Sequence, residues 1–261
     1  MANKSLSLIP AERHRRIVEL LNQHGTVRVS TLSESFKVSE LTIRRDLEYL
    51  EDNGILERTY GGAIYSHRLA MEPLFTEKDR LRREEKERIA TAAAGMVEDG
   101  ETIFIHSGST TLRMFRHLSG RKNLRVVTSN AAAVLEARNL DLDVYFTGGQ
   151  YRKVSNSLVG PLARRFLQQF NANKCFIGVD GVSGKYGLTT PSIDEAEMGR
   201  TMIEQTHGAK IVLSDSSKFG KVADAVTAPL AMVDYIIVDH GFNETFRSDF
   251  EAFGVKILIA P

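Results

Sequence analysis

The sequence predicts a two-part α/β chain. Helices closed by a β-ribbon occupy residues 1–65, a linker spans 66–76, and a mostly parallel sheet with helices on both faces fills 77–261. Three observations predict this architecture. A short amphipathic helix near residue 45 is followed at once by two strand-like runs around a Gly-Gly turn. Residues 66–76 lack periodicity and contain Pro73. From Glu101 onward, short apolar runs alternate with helix-length segments, the pattern of a sheet covered on both faces.

In the first part, residues 11–24 place Ile17, Leu20 and Leu21 on one side of a helix. Thr26 to Val29 is a brief β-like run, and Ser30 is placed to cap a second helix ending near Phe36. After the Lys37-Val38 turn, Ser39 caps a third helix in which Ile43, Leu47 and Leu50 recur at i, i+4 and i+7. Asn53-Gly54 reads as its stop. With that apolar face turned inward, Leu41, Thr42, Arg45 and Tyr49 point outward and Arg44 lies on the flank. Ile55 to Tyr60, the Gly61-Gly62 turn and Ala63 to Tyr65 then form a two-stranded ribbon. This is a winged helix-turn-helix.

The outer face suits a DNA groove: Arg45 can read guanine, Leu41 and Thr42 can touch a thymine methyl, and Arg44 can hold a phosphate. Ser39 completes the helix start, Arg58 is placed to enter the minor groove or grip a phosphate beside it, and Gly61 and Gly62 allow the tight turn that brings the ribbon close. Basic and acidic residues balance over residues 1–66, so the positions of the charges, not their excess, carry the reading. Winged helices also serve as protein-interaction modules.

The motif Ser39-x-x-Thr42-Ile43-Arg44-Arg45-Asp46-Leu47, followed by Gly61-Gly62-Ala63, resembles the start of the DeoR family of bacterial transcriptional regulators. The segments 107-SGSTT, 147-TGGQ, 158-LVGPLA, 178-GVDGV, 187-GLTTP and 214-SDSSKFG resemble its sugar-phosphate-sensing domain in order and approximate spacing. The resemblance implies a second domain related to ribose-5-phosphate isomerase and CoA-transferase folds. It implies binding of a phosphorylated sugar or polyol without turnover, and repression of carbohydrate or polyol genes until that ligand arrives. This chain departs from the family pattern at His106, where many members carry Asp, and at Gly199, where they often carry Lys.

The residues of the second part give their own reading. Seven strands are expected, at 102–106, 124–128, 143–147, 175–179, 210–214, 235–238 and 255–259. Ligands of such sheets sit beyond the strands' carboxyl ends. There Ser107-Gly108-Ser109-Thr110-Thr111 offers hydroxyls, a glycine and the N–H groups of a following helix to an anion. A plain strand-to-helix turn with a hydroxyl cap would use the same residues. Ser129-Asn130, Gly148-Gly149, Asp180-Gly181 and Lys218 occupy matching ends of successive strands. Lys218 would neutralise a phosphate, Asp180 would accept from sugar hydroxyls, and His106, with an unperturbed pKa of about 6.5, would make binding pH-dependent. The charged run Glu77 to Arg88 interleaves both signs and reads as a solvated helix that becomes apolar at Ile89, Ala93, Met96 and Val97.

Composition is that of an ordinary globular chain: 261 residues, net charge +1, 42% hydrophobic and 26% charged. No run is long enough to span a membrane and no secretory leader pattern opens the sequence, so a cytoplasmic protein is expected. The single cysteine, Cys175, lies in an apolar run and reads as a core residue. The seven histidines show no metal-ligand spacing, and neither nucleotide-binding glycine motif is present. No metal and no cofactor is expected. The expected partners are double-stranded operator DNA, a phosphorylated sugar or polyol, and further copies of the chain in a dimer or tetramer, since one helix-turn-helix offers little affinity alone. A sugar-phosphate isomerase-like enzyme with an accessory DNA-binding module is the alternative.

Overall fold

The computed structural model describes residues 9–52, 56–65 and 72–261. The chain divides into two compact units, Met1–Glu72 and Pro73–Pro261.

In the first unit, α1 (Pro10–His24) opens with proline, whose missing N–H costs nothing at a helix start. It closes on Gly25 in the left-handed conformation, whose N–H bonds the Leu21 carbonyl. Then come β1 (Thr26–Arg28), α2 (Val29–Phe36), α3 (Glu40–Asp52), β2 (Leu56–Thr59) and β3 (Gly62–Tyr65). Ile17, Leu21, Leu32, Phe36, Ile43, Leu47, Leu50, Leu56 and Ala63 form one core. Each large side chain there gains about 1.5–3 kcal/mol on burial.

Ser39 caps α3 as the sequence implies, accepting from the Thr42 N–H at 3.2 Å. Two expectations change. The second helix starts at Val29 with Arg28 at its cap position and no side-chain cap, so Ser30 lies inside it. The ribbon has three strands, in the order β1-β3-β2, because Thr26–Arg28 pairs antiparallel with Gly62–Ile64. The expected stop at Asn53-Gly54, Ile55 and residues 66–71 of the expected linker lie outside the described residues.

The second unit begins with α4 (Phe75–Arg80) and α5 (Arg83–Gly95). One continuous solvated helix from Glu77 is therefore not formed, and helix starts two residues inside the expected linker. Arg82, at φ +50°, breaks the run. Its basic residues are not all solvated either: Lys86 is 5% exposed. Lys78 and Arg82 find carboxylates far along the chain, at Asp180 and Asp215, which charge alternation could not reveal.

The chain continues through β4 (Thr102–Ile105), α6 (Ser109–Met114), β5 (Arg125–Thr128), α7 (Ala133–Ala137) and β6 (Asp143–Phe146). Next are β7 (Gln150–Arg152), β8 (Ser157–Val159), α8 (Pro161–Leu167), β9 (Ala172–Gly178), β10 (Gly181–Ser183) and β11 (Gly187–Thr190). It ends with α9 (Ile193–Glu204), β12 (Thr206–Leu213), β13 (Ala225–Ala228), β14 (Tyr235–Val238), α10 (Arg247–Glu251) and β15 (Lys256–Ile259).

The seven strands expected from apolar runs are those of a single sheet, ordered β15-β14-β12-β9-β4-β5-β6, with every neighbouring pair parallel. Alternate residues of its central strands feed two layers. Phe104, Cys175, Ile177 and Val212 enter one core; Ile103, Ile105, Phe176 and Ile211 enter the other. Both faces are thus covered, as all-parallel sheets require. A small antiparallel sheet, β10-β11-β13, and the β7-β8 hairpin stand beside it.

Candidate functional site

On α3, Ile43, Leu47 and Leu50 are buried while Leu41, Arg44, Arg45 and Tyr49 are exposed, the division that the helical period dictates. Arg44 lies 3.3 Å from Glu40 one turn back. Arg45 is exposed and makes no ion pair among the described residues. Thr42 is half-buried, and its hydroxyl meets that of Ser39 at 2.9 Å, which places both in the helix start.

The wing differs from the expected arrangement in two respects. Arg58 turns to α3, with Nη1 3.6 Å from Glu48, Nε 3.5 Å from Glu51, and its backbone N–H donating to Glu51 at 2.9 Å. It holds the ribbon to the helix. Gly62 is required for packing: a Cβ there would lie 1.9 Å from the Val27 carbonyl oxygen, because β3 crosses β1 at this point. Gly61 forms the turn at φ +151° with open space around it. The fully exposed residue of that turn is Tyr60, which sequence reasoning passed over; its place before two glycines was the available signal.

In the second unit, a cavity of about 210 Å³ opens at the carboxyl ends of β4, β9 and β12. Of the expected residues, His106, Ser107, Gly108, Ser109, Thr110, Asp180 and Lys218 line it. Lys78, Arg82 and Lys86 join them from α4, α5 and the break between these helices. Asp180 is the anchor of this charge cluster. Lys78 Nζ lies 2.9 Å and Lys218 Nζ 3.3 Å from its Oδ1, and the Thr190 hydroxyl donates to Oδ2 at 3.2 Å. Burial works to raise its pKa, but Lys218 and Lys78 outweigh it and hold the carboxyl well below the usual range.

Lys86 donates to the Lys78 carbonyl. Burial pulls its ammonium down to about 8, with Lys218 and Arg113 adding repulsion against the pull of Asp215 and Asp79. Lys221 is lowered too, by burial first and by Lys218 next. The lining thus holds four cations, Lys78, Arg82, Lys86 and Lys218, against the carboxylates of Asp180, Glu195 and Asp215.

A second carboxylate, unnoticed in the sequence, faces the cavity. Glu195, 4% exposed on α9, accepts from the Ser157 hydroxyl at 2.8 Å and from Ser107 at 3.4 Å, and pairs with Arg152 at 3.5 Å. His106 is pinned between backbones, Nδ1 3.2 Å from the Gly178 carbonyl and Nε2 3.3 Å from that of Glu195. Burial lowers its pKa, partly countered by Glu195. Gly199 lies behind it: a Cβ there would be 3.6 Å from His106 Nε2 and 2.8 Å from the Thr227 methyl. The two departures from the family pattern are thus spatial neighbours.

The remaining expected residues do not line the cavity. Thr111 is fully buried and donates its hydroxyl to the His106 and Gly108 carbonyls. Ser129 accepts from the Ser107 N–H at 3.1 Å, and Asn130 donates to the Gly108 carbonyl at 3.0 Å. These three hold the 107–110 loop in shape from beneath. Gly148 and Gly149 shape the turn into β7, where a Cβ on Gly149 would lie 2.6 Å from the Val159 carbonyl. Gly181 is closed off by the Lys221 carbonyl and the Thr189 hydroxyl, each 2.5 Å from such a Cβ. Gly149 and Gly181 serve close packing, while Gly148, at φ +64° with open space around it, serves the turn.

A winged helix with an exposed arginine face, joined to an α/β unit holding a polar, cation-rich cavity, defines a DNA-binding regulator with a small-molecule effector domain. The sequence matches the DeoR-like helix-turn-helix domain over residues 13–68 and the DeoR C terminal sensor domain over residues 81–240. The chain belongs to the DeoR family of transcriptional regulators. It is 35% identical to the HTH-type transcriptional regulator GlpR of Haloferax volcanii, covering 96% of this chain and 98% of that one. It is 33% identical to the transcriptional repressor AccR of Agrobacterium fabrum, over 95% and 97% of the two chains. A D-ribose-5-phosphate isomerase solved with phospho-erythronic acid matches at 20% identity and TM-score 0.40, over 53% of this chain and 55% of that one. The relatives are regulators, which sets the enzyme alternative aside. Among the described residues no helix is long and apolar enough to cross a membrane, and no group of three or more metal-ligating side chains occurs.

Proposed function

We propose that this regulator is a repressor of carbohydrate or polyol catabolism genes, released from its operator by a phosphorylated sugar or polyol. One observation carries the reading. Lys78, Arg82, Lys86 and Lys218 converge on a cavity whose floor is the Ser107–Thr110 loop and whose walls carry Asp180 and Glu195. Cations, hydroxyls and backbone N–H groups suit a phosphoryl group, while the two carboxylates suit the hydroxyls of a polyol. At about 210 Å³ the cavity is smaller than the usual ligand pocket and has room for no more than one small metabolite.

Operator contact falls to the outer face of α3, with Arg45 reading a base, Arg44 a phosphate, and Leu41 and Thr42 a thymine methyl. Tyr60 and Gly61 present the wing tip, and Arg58 and Gly62 support it. The functional unit is a homo-oligomer, a dimer or tetramer, because paired half-sites supply the affinity that one helix-turn-helix lacks.

The test is a thermal-shift screen of phosphorylated sugars and polyols, followed by operator binding with each hit. A ligand at 100 times its dissociation constant should add about 2.7 kcal/mol of stability and weaken operator binding. Stabilisation only by unphosphorylated compounds would refute the phosphate reading.

A further inference from the structure

The wall of the cavity contributed by α4 is attached to the rest of the unit mainly by charge. Phe75 is its one buried apolar residue, and its N–H donates to the Val154 carbonyl at 2.7 Å. The other ties are polar. Lys78 pairs with Asp180, Lys86 donates to the Lys78 carbonyl, and the buried Arg113 guanidinium meets both the carboxylate and the carbonyl of Asp79 at 2.8 Å. The segment ends at Arg82, whose left-handed backbone separates α4 from α5 and whose Nε lies 3.7 Å from Asp215. Leu74 and Leu81, at its two ends, are exposed.

One of these ties, Lys78 to Asp180, is shared with the loop that carries Lys218. Lys78 on α4 and Lys218 in the loop after β12 share one oxygen of Asp180, and Arg82 and Lys86 add two more cations to the lining. A single carboxylate is the common counter-ion of a wall and a loop that otherwise repel. An entering phosphoryl group brings up to two negative charges and three acceptor oxygens to that point, enough to engage Lys78, Arg82 and Lys218 together.

We infer that segment 75–82 is a latch, held in part by the Lys78–Asp180 pair when the cavity is empty and drawn tighter by a bound phosphoryl group. Pro73, two residues before the latch, is also the first residue after the DNA-binding unit. Effector occupancy thereby reaches that unit through the chain itself, at the stretch which leads into it. This rests on the phosphate reading above and adds to it the element that responds.

The experiment uses the full chain, inorganic phosphate as probe, and potassium chloride of equal ionic strength as control. Thermal midpoint reports binding, and trypsin cleavage at the exposed Arg80, Arg82 and Arg83 reports opening of the latch. At ten times its dissociation constant, phosphate should raise the midpoint and slow cleavage at these bonds about tenfold, because the opened latch cannot bind it. Lys78→Met, tested at ten times its own dissociation constant, should still show the midpoint rise but lose the slowing, and Lys78→Arg should restore it. A midpoint rise with unchanged cleavage overturns the latch and leaves the phosphate site standing. Slowing in Lys78→Met equal to the wild type also overturns it. If phosphate neither raises the midpoint nor slows cleavage, the site reading falls and the latch falls with it.

Discussion

Arg13 and Asp46 form a two-point ion pair that ties α1 to α3, Nε to Oδ2 at 2.7 Å and Nη2 to Oδ1 at 2.9 Å, both side chains almost fully buried. His14 Nε2 sits 2.9 Å from the same carboxylate, and its ring stacks on Tyr49 with centroids 4.7 Å apart. The pair thus sets the angle at which the outer face of α3 is presented. Removing one partner of a buried pair strands the other, at a cost of about 3–5 kcal/mol. Asp46→Ala should lower stability by that amount in urea unfolding and abolish operator binding, although Asp46 faces the interior.

Arg45 and Arg44 should separate in their effects. Arg45→Ala is expected to cost about 1–3 kcal/mol on the operator and to relax preference at one base position. Arg44→Ala should weaken operator and random DNA alike if it holds a phosphate as proposed. Fluorescence anisotropy on both DNAs checks this; equal losses for Arg45→Ala would remove its base-reading role.

The two glycines of the wing should differ as well. Gly62→Ala drives a methyl group into the Val27 carbonyl and should destabilise the ribbon by about 1–3 kcal/mol, with loss of DNA binding. Gly61→Ala meets no neighbouring atom and is strained only by its backbone angle, so its effect should be smaller. Thermal unfolding of each variant, with operator titration, measures the difference.

Lys86 gives a pH dependence whose sign is fixed. Its folded-state pKa of about 8 lies below the free value of 10.5, so between these limits the unfolded chain binds a proton that the folded chain lacks. Stability from this group therefore rises with pH across that window. Effector binding should run the other way: it needs the ammonium and should weaken as pH rises above about 8, and it should also weaken below about 6, where a phosphate ester loses its second charge. Calorimetry in buffers of different ionisation enthalpy should detect proton uptake on binding above pH 8. Lys86→Met should flatten that upper limb.

Ser109→Asp puts a like charge into the loop, and Lys218→Ala removes a cation from Asp180. Both variants should keep operator affinity and lose release by the phosphorylated effector, because a ligand shifts an equilibrium only through its differential affinity. In cells this reads as repression that no longer responds to the sugar. Release of both variants at the wild-type ligand concentration would move the phosphate site elsewhere.

The legible parts of this chain were those whose signal is local. Alternating apolar runs located all seven strands of the main sheet, and the spacing of Ile43, Leu47 and Leu50 oriented α3 correctly. Parts set by distant contacts were not legible. Lys78 reads as one of many solvated charges until Asp180, far along the chain, is brought to it. Glu195 stands in an unremarkable acidic stretch and gains meaning only against Ser107, Ser157 and Arg152. Neither glycine nor proline marks the break at Arg82. In the loop assignments the strand ends were right, but polar type did not reveal direction: Thr111, Ser129 and Asn130 spend their hydrogen bonds on the backbone beneath the loop. Arg58 likewise points to α3, a choice made by Glu48 and Glu51 one turn apart.

Cys175 lies in the middle of β9, the central strand of the seven, with its thiol fully buried and pushed up to about 12, chiefly by burial. Thiolate forms appreciably only when that strand is exposed, and thiolate is the species that reacts with alkylating agents. A maleimide dye added to the native protein should therefore leave it unlabelled, while the rate of labelling in mild denaturant counts openings of the whole sheet. The one sulfhydryl is a built-in clock for global unfolding, and new cysteines can be placed on either unit for distance measurements without first removing it.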